Sequence, residues 1–379
     1  MKICFVLEHY APYIGGAETL FSNLIEGLVK SDQECFVITC HLPGTAYQER
    51  LNGVYIHRVR VPGWGRRYWF TIFSLWAVWR IGKKCEIFHT TTYNGIFPTF
   101  ILSKLLRKPA VVTVFEVVCD LWKDSGQMGW LNAKIHSLAE RLFFKLPLDK
   151  YLCISKHTGN CLEKYGISKD KIQIIYPGIE RIYYETSNDF NKNSIKRLLK
   201  LENKYIYTYF GRPGIFKGVE YLLQAVPLIA KTILNSKLLL ILARDPKDRY
   251  ENIIKLINKL KIENNVIMLD PLKREKLIEY IRASDIVVLP SLSEGFGLSC
   301  VEACSLGTPV VSSKVGSIPE VIFGKFVLVP PADPRAIANG VKKMYNLEYS
   351  ILPKKTFLWE DSVMKHLCLY NALISNKEK

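Results

Sequence analysis

Two glutamates, Glu294 and Glu302, stand with seven residues between them inside PSLSEGFGLSCVEACSLGTPVVSSKVGSIPE, which runs from Pro290 to Glu320. A loop carboxylate and a second one about a turn into the following helix can lie on one side of a bound ligand. Negative groups would repel a phosphate, so both read as acceptors for sugar or ribose hydroxyls. The plainer alternative is that a glutamate near a helix start only complements the helix dipole. Between them, Gly295 and Gly297 flank Phe296 just ahead of Leu298, where a run of helical composition begins and continues to Ser305. A glycine-lined loop entering a helix lets an anion approach backbone N–H groups at the positive end of the dipole. The stretch as a whole suits a ligand carrying both a phosphate and hydroxyls.

A second constellation lies upstream in Gly211-Arg-Pro-Gly-Ile-Phe-Lys217-Gly218. Arg212 offers a planar fork and Lys217 a point charge, and cations of both kinds in a strand-to-helix loop can grip a diphosphate. A third glycine pair, Gly15-Gly16, opens a helix directly after the first strand, either as a flexible cap or as another backbone surface for an anion.

Stepping outward from these loops, the elements that must hold them alternate in type. Strand-like runs occur near Lys2-Leu7, Cys35-Thr39, Ile87-His89, Ala110-Phe115, Tyr151-Ile154 and Lys171-Ile175, then at Tyr205-Phe210, Lys237-Ala243, Asn265-Leu269 and Asp285-Leu289, with helical runs between. This alternation predicts an α/β protein of doubly wound parallel sheets, whose ligands meet the loops at the carboxyl ends of the strands. Residues 181–204 are polar and rich in Asn and Lys, and read as a linker carrying a short basic helix. The expected organisation is a domain at 1–180, the linker at 181–204, a second domain at 205–355 and a terminal segment at 356–379.

With 379 residues and 49% hydrophobic content, the chain can fill two cores. Its ten cysteines form no CxxC pairs and have no histidines at ligand spacing, which predicts a reducing cytoplasm with no disulfide frame and no zinc. The N-terminal apolar run Met1-Leu7 is too short for a signal peptide. Lys and Arg exceed Asp and Glu by 52 − 35 = 17. That excess draws the protein to anionic substrates and surfaces. The run RRYWFTIFSLWAVWRIGKK, Arg66 to Lys84, has three tryptophans flanked by cations. It falls short of the about 20 apolar residues a span requires, so it either covers the sheet with a face of Trp69, Ile72, Phe73, Trp76 and Trp79 or lies on a membrane surface.

Glu-Gly-Phe-Gly, Glu302, Gly-Thr-Pro-Val-Val and Gly-Ser-Ile-Pro-Glu320, together with the Gly-Arg and Lys-Gly loop, resemble the donor signature of glycosyltransferase family four. The resemblance implies the GT-B fold, two facing Rossmann-like domains with a cleft between them, acceptor-binding in the first and donor-binding in the second. The terminal segment then crosses back to the first domain. It implies retaining transfer of a hexose-type sugar from a nucleotide diphosphate sugar, with no metal or other cofactor. Arg212, Lys217, Glu294 and Glu116 become catalytic candidates. Gly15, Gly16, Arg212, Lys217, Glu294, Gly295, Phe296, Gly297, Leu298 and Glu302 become donor contacts, Glu294 at the sugar and Glu302 at the ribose. Family members usually carry a histidine where this chain has Phe115, so the acceptor falls to His89, Glu116 and Asp120. Leu269-Asp270-Pro271 replaces the family's usual glycine loop at the base, which leaves the base open. The expected partners are the nucleotide sugar, a lipid-linked or saccharide acceptor and an anionic membrane surface, not nucleic acid. The expected location is the cytoplasm, peripheral at the inner face of the membrane. The competing readings are a nucleotide-sugar epimerase of the same fold and a non-enzymatic basic module that binds membrane or nucleic acid.

Overall fold

In β1, Lys2–Val6, alternate side chains enter two different cores: Ile3 and Phe5 pack on one side of the sheet, Cys4 and Val6 on the other. A strand buried on both faces needs helices on both, which is the physical content of a doubly wound sheet. The computed structural model describes residues 1–13, 15–64, 66–119, 130–185 and 192–378. It divides into one unit of Met1–Gly178 with Phe357–Lys379 and another of Ile179–Thr356.

The first unit adds β2 (Glu34–Cys40), β3 (Gln48–Leu51), β4 (Val54–Val59), β5 (Ile87–Thr91), β6 (Ala110–Val114), β7 (Lys150–Cys153) and β8 (Ile172–Ile174), in the order β3-β4-β2-β1-β5-β6-β7-β8. All neighbours are parallel except β3 and β4. The Gly16–Lys30 helix covers one face through Leu20, Phe21, Leu24, Ile25 and Leu28, a repeat of three to four residues that gathers them on one stripe. The terminal helix, Trp359–Glu378, joins this face with Val363 and Tyr370. The opposite face is covered in part by the helices Arg66–Phe73, Leu75–Gly82, Ile96–Leu105 and Trp130–Phe143.

The second unit has β9 (Tyr205–Gly211), β10 (Ser236–Leu242), β11 (Val266–Leu269), β12 (Ile286–Leu289), β13 (Val310–Ser313), β14 (Gly324–Val329) and β15 (Ser350–Leu352), ordered β11-β10-β9-β12-β13-β14-β15. Only β15 is antiparallel to its neighbour.

Four expectations need adjusting. Of the expected linker, residues 181–185 and 192–204 are described; they carry the short basic helix Lys192–Leu198, and Tyr183, Ile195 and Leu201 are buried. Lys196 Nζ donates to Asp285 Oδ2 at 2.9 Å and to the Lys204 carbonyl at 3.1 Å, which ties the stretch into the second unit. Second, β3, β4, β13, β14, β15 and the Pro334–Tyr345 helix were not anticipated; QERL of β3 is an exposed edge with no apolar alternation to detect. Third, the aromatic run folds as two short helices, and Phe70, Ala77 and Val78 supply the core while Ile72, Phe73, Trp76 and Trp79 point outward. Its last turn is capped by Lys108, whose Nζ reaches the carbonyls of Gly82, Lys83 and Cys85. Among the described residues no helix is long and apolar enough to cross a membrane. The fourth concerns His89 and belongs with the site.

Candidate active site

The two glycine-bearing loops of the second unit are brought together by strand order. β9 and β12 are parallel neighbours, so the loops leaving their carboxyl ends lie side by side. Leu292 N–H donates to the Phe216 carbonyl at 2.7 Å. Gly218, at φ 63°, sits so close that a Cβ there would fall 2.1 Å from the Pro290 carbonyl oxygen, so no larger residue fits this crossing. The backbone contact sets Lys217 beside Glu294, with Nζ to Oε1 at 2.7 Å. The Ser291 hydroxyl donates to the same oxygen at 2.8 Å. Glu294 is held from below as well: its carbonyl accepts Ser317 N–H at 3.0 Å. Gly316, at φ 51°, is the only kind of residue this approach admits, since a Cβ would lie 2.0 Å from that carbonyl. Phe296 is buried. Gly297, at φ 84°, starts the Leu298–Ser305 helix without a side-chain cap. The site is thus a pair of loops joined through their backbones, with one ion pair at its centre and a helix N-terminus beside it.

Arg212 stands at the end of β9, but its guanidinium is ion-paired with Asp245 in the loop after β10. Its Nε also donates to the Asp245 carbonyl at 3.4 Å. Sequence reasoning missed Asp245, because nothing local in Arg244-Asp245-Pro246 marks it as Arg212's partner. Asp270, in the stretch aligned with the family's base loop, accepts both arms of Arg244 at 2.6 and 2.8 Å.

Glu302 belongs to a second network. It hydrogen-bonds Tyr183, which is buried, and faces Arg274, itself paired with Glu180. Burial raises its carboxyl to about 7, opposed by the Arg274 charge and the Tyr183 hydroxyl. The two glutamates are therefore not a matched pair. Glu294 is paired with a cation, whereas burial raises the Glu302 carboxyl to about 7, close to the balance between acid and carboxylate at neutral pH.

In the first unit, Gly15 is the extended N-cap of the Gly16–Lys30 helix, and Gly16 has open space where a Cβ would lie. The loop before them is anchored by Arg58, whose side chain is fully buried. It donates to the carbonyls of Ala11 at 2.8 Å and Ala46 at 2.9 Å, and pairs with Glu49 at 2.6 Å. Glu116 is half-buried at the end of β6. The segment after it is pinned by Glu140, fully buried, which accepts Val118 N–H at 2.9 Å and Cys119 N–H at 2.7 Å. Glu140 shares a stripe with the buried Ala133 and Ser137, and that placement of an acid on a core face was the available signal for it. Asp120 lies outside the described residues.

His89 is corrected. It is fully buried, with Nδ1 at 2.6 Å from the Tyr370 hydroxyl and Nε2 at 2.7 Å from Thr113 Oγ1. Both ring nitrogens are consumed by the chain's own groups, and burial drives the ring well below its ordinary pKa, so it stays neutral. His89 joins the terminal helix to the sheet and has nothing left for an acceptor.

Residues 14–181 match the family described as Glycosyltransferase Family 4, and residues 190–356 match Glycosyl transferases group 1. An uncharacterized glycosyltransferase of Methanocaldococcus jannaschii is 27% identical over 358 residues, covering 91% of this chain and 89% of that protein. D-inositol 3-phosphate glycosyltransferase of Corynebacterium glutamicum is 28% identical over 233 residues, 57% of this chain and 55% of its own length, so the chain spans about half of that relative. Sucrose-phosphate synthase from Thermosynechococcus elongatus has the same fold, with a TM-score of 0.81 at 20% identity and 99% coverage of both chains. With both sheets, the loops at their carboxyl ends and the two family matches in agreement, the chain belongs to the family 4 type of glycosyltransferase and is an enzyme of the GT-B fold.

Proposed function

We propose that the protein moves a hexose from a nucleotide diphosphate sugar, with retention at the anomeric carbon, to a lipid-linked saccharide or glycolipid presented at the inner face of the membrane. The observation that carries the reading is the Lys217 and Glu294 pair, held 2.7 Å apart between two strand-end loops and next to an uncapped helix N-terminus. Lys217, Arg212 and the first amides of the Leu298–Ser305 helix stabilise negative charge that grows on the leaving diphosphate. These cations do the work a metal ion would do, and none is invoked. Glu294 orients sugar hydroxyls from a position set by Ser291 and Lys217, and Glu302 accepts from the ribose. The departing phosphate takes the acceptor hydroxyl's proton as the new bond forms on the face it leaves, which keeps the anomeric configuration. Gly15 and Gly16 supply backbone to the diphosphate, and Glu116 and Asp120 are the acceptor-side polar groups left once His89 is set aside.

The membrane-presented acceptor is supported by the net charge of +17 and by the outward-facing aromatics of residues 64–84. Two names among the similar proteins, a D-inositol 3-phosphate glycosyltransferase and a sucrose-phosphate synthase, point instead to small soluble acceptors. A thermal-shift screen of UDP-, GDP- and ADP-sugars identifies the donor. That donor is then incubated with detergent-dispersed lipid-linked saccharides, with inositol phosphate or hexose phosphate, and with no acceptor. Transfer to the lipid substrate with an anomeric proton coupling matching the donor's supports the proposal. Transfer only to soluble phosphates overturns the acceptor, an inverted anomer overturns retention, and an epimerised donor overturns transfer.

A further inference from the structure

The first unit exposes hydrocarbon in a pattern that its own core does not use. On the Trp130–Phe143 helix, Leu131, Ile135, Leu138 and Leu142 recur at four, three and four residues and are each 50% to 62% exposed. That spacing is one continuous stripe. The Ile96–Leu105 helix presents Ile101 and Leu105, 50% and 67% exposed, and the Leu75–Gly82 helix presents Trp76 at 60%. These helices cover the same side of the sheet: Phe143 packs edge-on against Phe97 at 5.3 Å between ring centroids, and all three helices contribute to one core cluster. Their outward faces are therefore neighbours.

Charge along this face has one sign. The three helices carry the exposed cations Arg80, Lys104, Lys134 and Arg141, with Lys83 just past the first of them, and their one acid, Glu140, is buried. Several cations lie over the exposed rings: Arg80 over Trp76 at 4.6 Å, Lys83 over Trp79 at 3.4 Å and Lys134 over Trp130 at 5.1 Å. Exposed apolar side chains rimmed by Lys and Arg, with aromatic rings at the boundary, match a bilayer interface in both its layers, acyl chains beneath and anionic headgroups above. A second copy of the chain is a poor occupant, since an isologous contact would set these cations against their own copies. Nucleic acid would meet the cations but leave the leucine stripe in water.

We propose that this face, formed by the Leu75–Gly82, Ile96–Leu105 and Trp130–Phe143 helices, docks the protein on an anionic bilayer with the leucine stripe inserted among the lipid chains. The proposal deepens the reading of a membrane-presented acceptor and rests on it for purpose, while its geometry is independent of the donor loops. Flotation of the full chain with phosphatidylcholine vesicles, with and without phosphatidylglycerol, at low and high salt, tests it. Wild type is expected to float with the anionic vesicles and to be released in part by salt. The triple variant Leu131→Ser, Ile135→Ser, Leu138→Ser, all at exposed positions, should lower partitioning by at least about tenfold at either salt. The pair Lys83→Glu, Lys134→Glu should lower it at low salt only. Donor hydrolysis without vesicles should be unchanged in all of these variants. Failure of wild type to float, or flotation indifferent to the serine substitutions, overturns the docking face while intact hydrolysis preserves the transferase. Flotation with no hydrolysis or transfer does the reverse. If sedimentation finds wild type dimeric and the serine variant monomeric with flotation unaltered, the stripe belongs to a second copy and the proposal falls.

Discussion

Replacing Lys217 by Ala removes the cation at the centre of the proposed diphosphate site, and the structure separates its structural cost from its chemical one. The side chain is 41% exposed, so its pairing with Glu294 is screened and contributes no more than about 1 kcal/mol to stability. Glu294, 14% exposed, is left without its cation but keeps the Ser291 hydroxyl. For a unit of this size the melting temperature should fall by less than about 4 °C. Turnover should fall far more, because a lost group facing charge that develops in the transition state typically costs about 10² to 10³ in rate, or about 2.7 to 4 kcal/mol. Donor hydrolysis or transfer measured over a range of donor concentrations, beside a thermal melt, gives both numbers. Lys217→Arg should recover part of the loss, since charge is kept while the geometry changes. The double variant Lys217→Ala, Glu294→Gln decides whether the pair acts as a unit: if the carboxylate serves only to hold the lysine, the second change adds nothing. A kcat/KM within about threefold of wild type, less than about 0.7 kcal/mol, would remove Lys217 from the mechanism.

Glu294→Gln alone should lower kcat, by about 10², more than it raises the donor KM, and a change confined to KM would take Glu294 away from the reacting sugar. For Glu302 the carboxyl is raised from the usual 4.5 to about 7, so the folded state holds a proton the unfolded chain has lost; its stabilising contribution is full below about 4.5 and gone once pH has risen through about 7. Wild type should therefore lose stability relative to Glu302→Gln across that window, and its donor affinity, read by calorimetry, should improve through about pH 7 while the variant's stays flat; parallel profiles would refute the ribose role. Tyr183→Phe removes the hydroxyl that favours ionised Glu302 and should move that affinity transition to higher pH, an outcome that a merely packing role for the ring would not produce. Glu140→Ala strands two buried N–H groups at 118 and 119, so it should destabilise the protein by about 2 kcal/mol or more, measurable by urea titration; a loss under about 0.5 kcal/mol would mean the loop is held otherwise.

What the sequence determined by itself was whatever is written locally. Buried parallel strands read as apolar runs, and the loops that follow them carry Gly211 to Gly218 and Glu294 to Leu298 in plain order, so the doubly wound class and the position of these two loops were legible. Edge strands such as Gln48–Leu51 were not, because an exposed antiparallel edge needs no apolar pattern. Partners distant in the chain were invisible for a different reason: Lys217 with Glu294 and Arg212 with Asp245 meet only because sheet order sets their loops together, and Tyr183 meets Glu302 only because the turn Arg181–Tyr183 packs on the Leu298–Ser305 helix. Burial also reverses roles that residue type suggests. His89 has the chemistry of an acceptor group, yet Tyr370, 281 residues away, takes one of its nitrogens and Thr113 the other. Trp76 and Ile72 have the chemistry of core, yet the two short helices turn them outward. Composition decides which contacts a side chain can make, whereas packing decides which of them remain open to a ligand or a membrane, and that depends on distances no local pattern encodes.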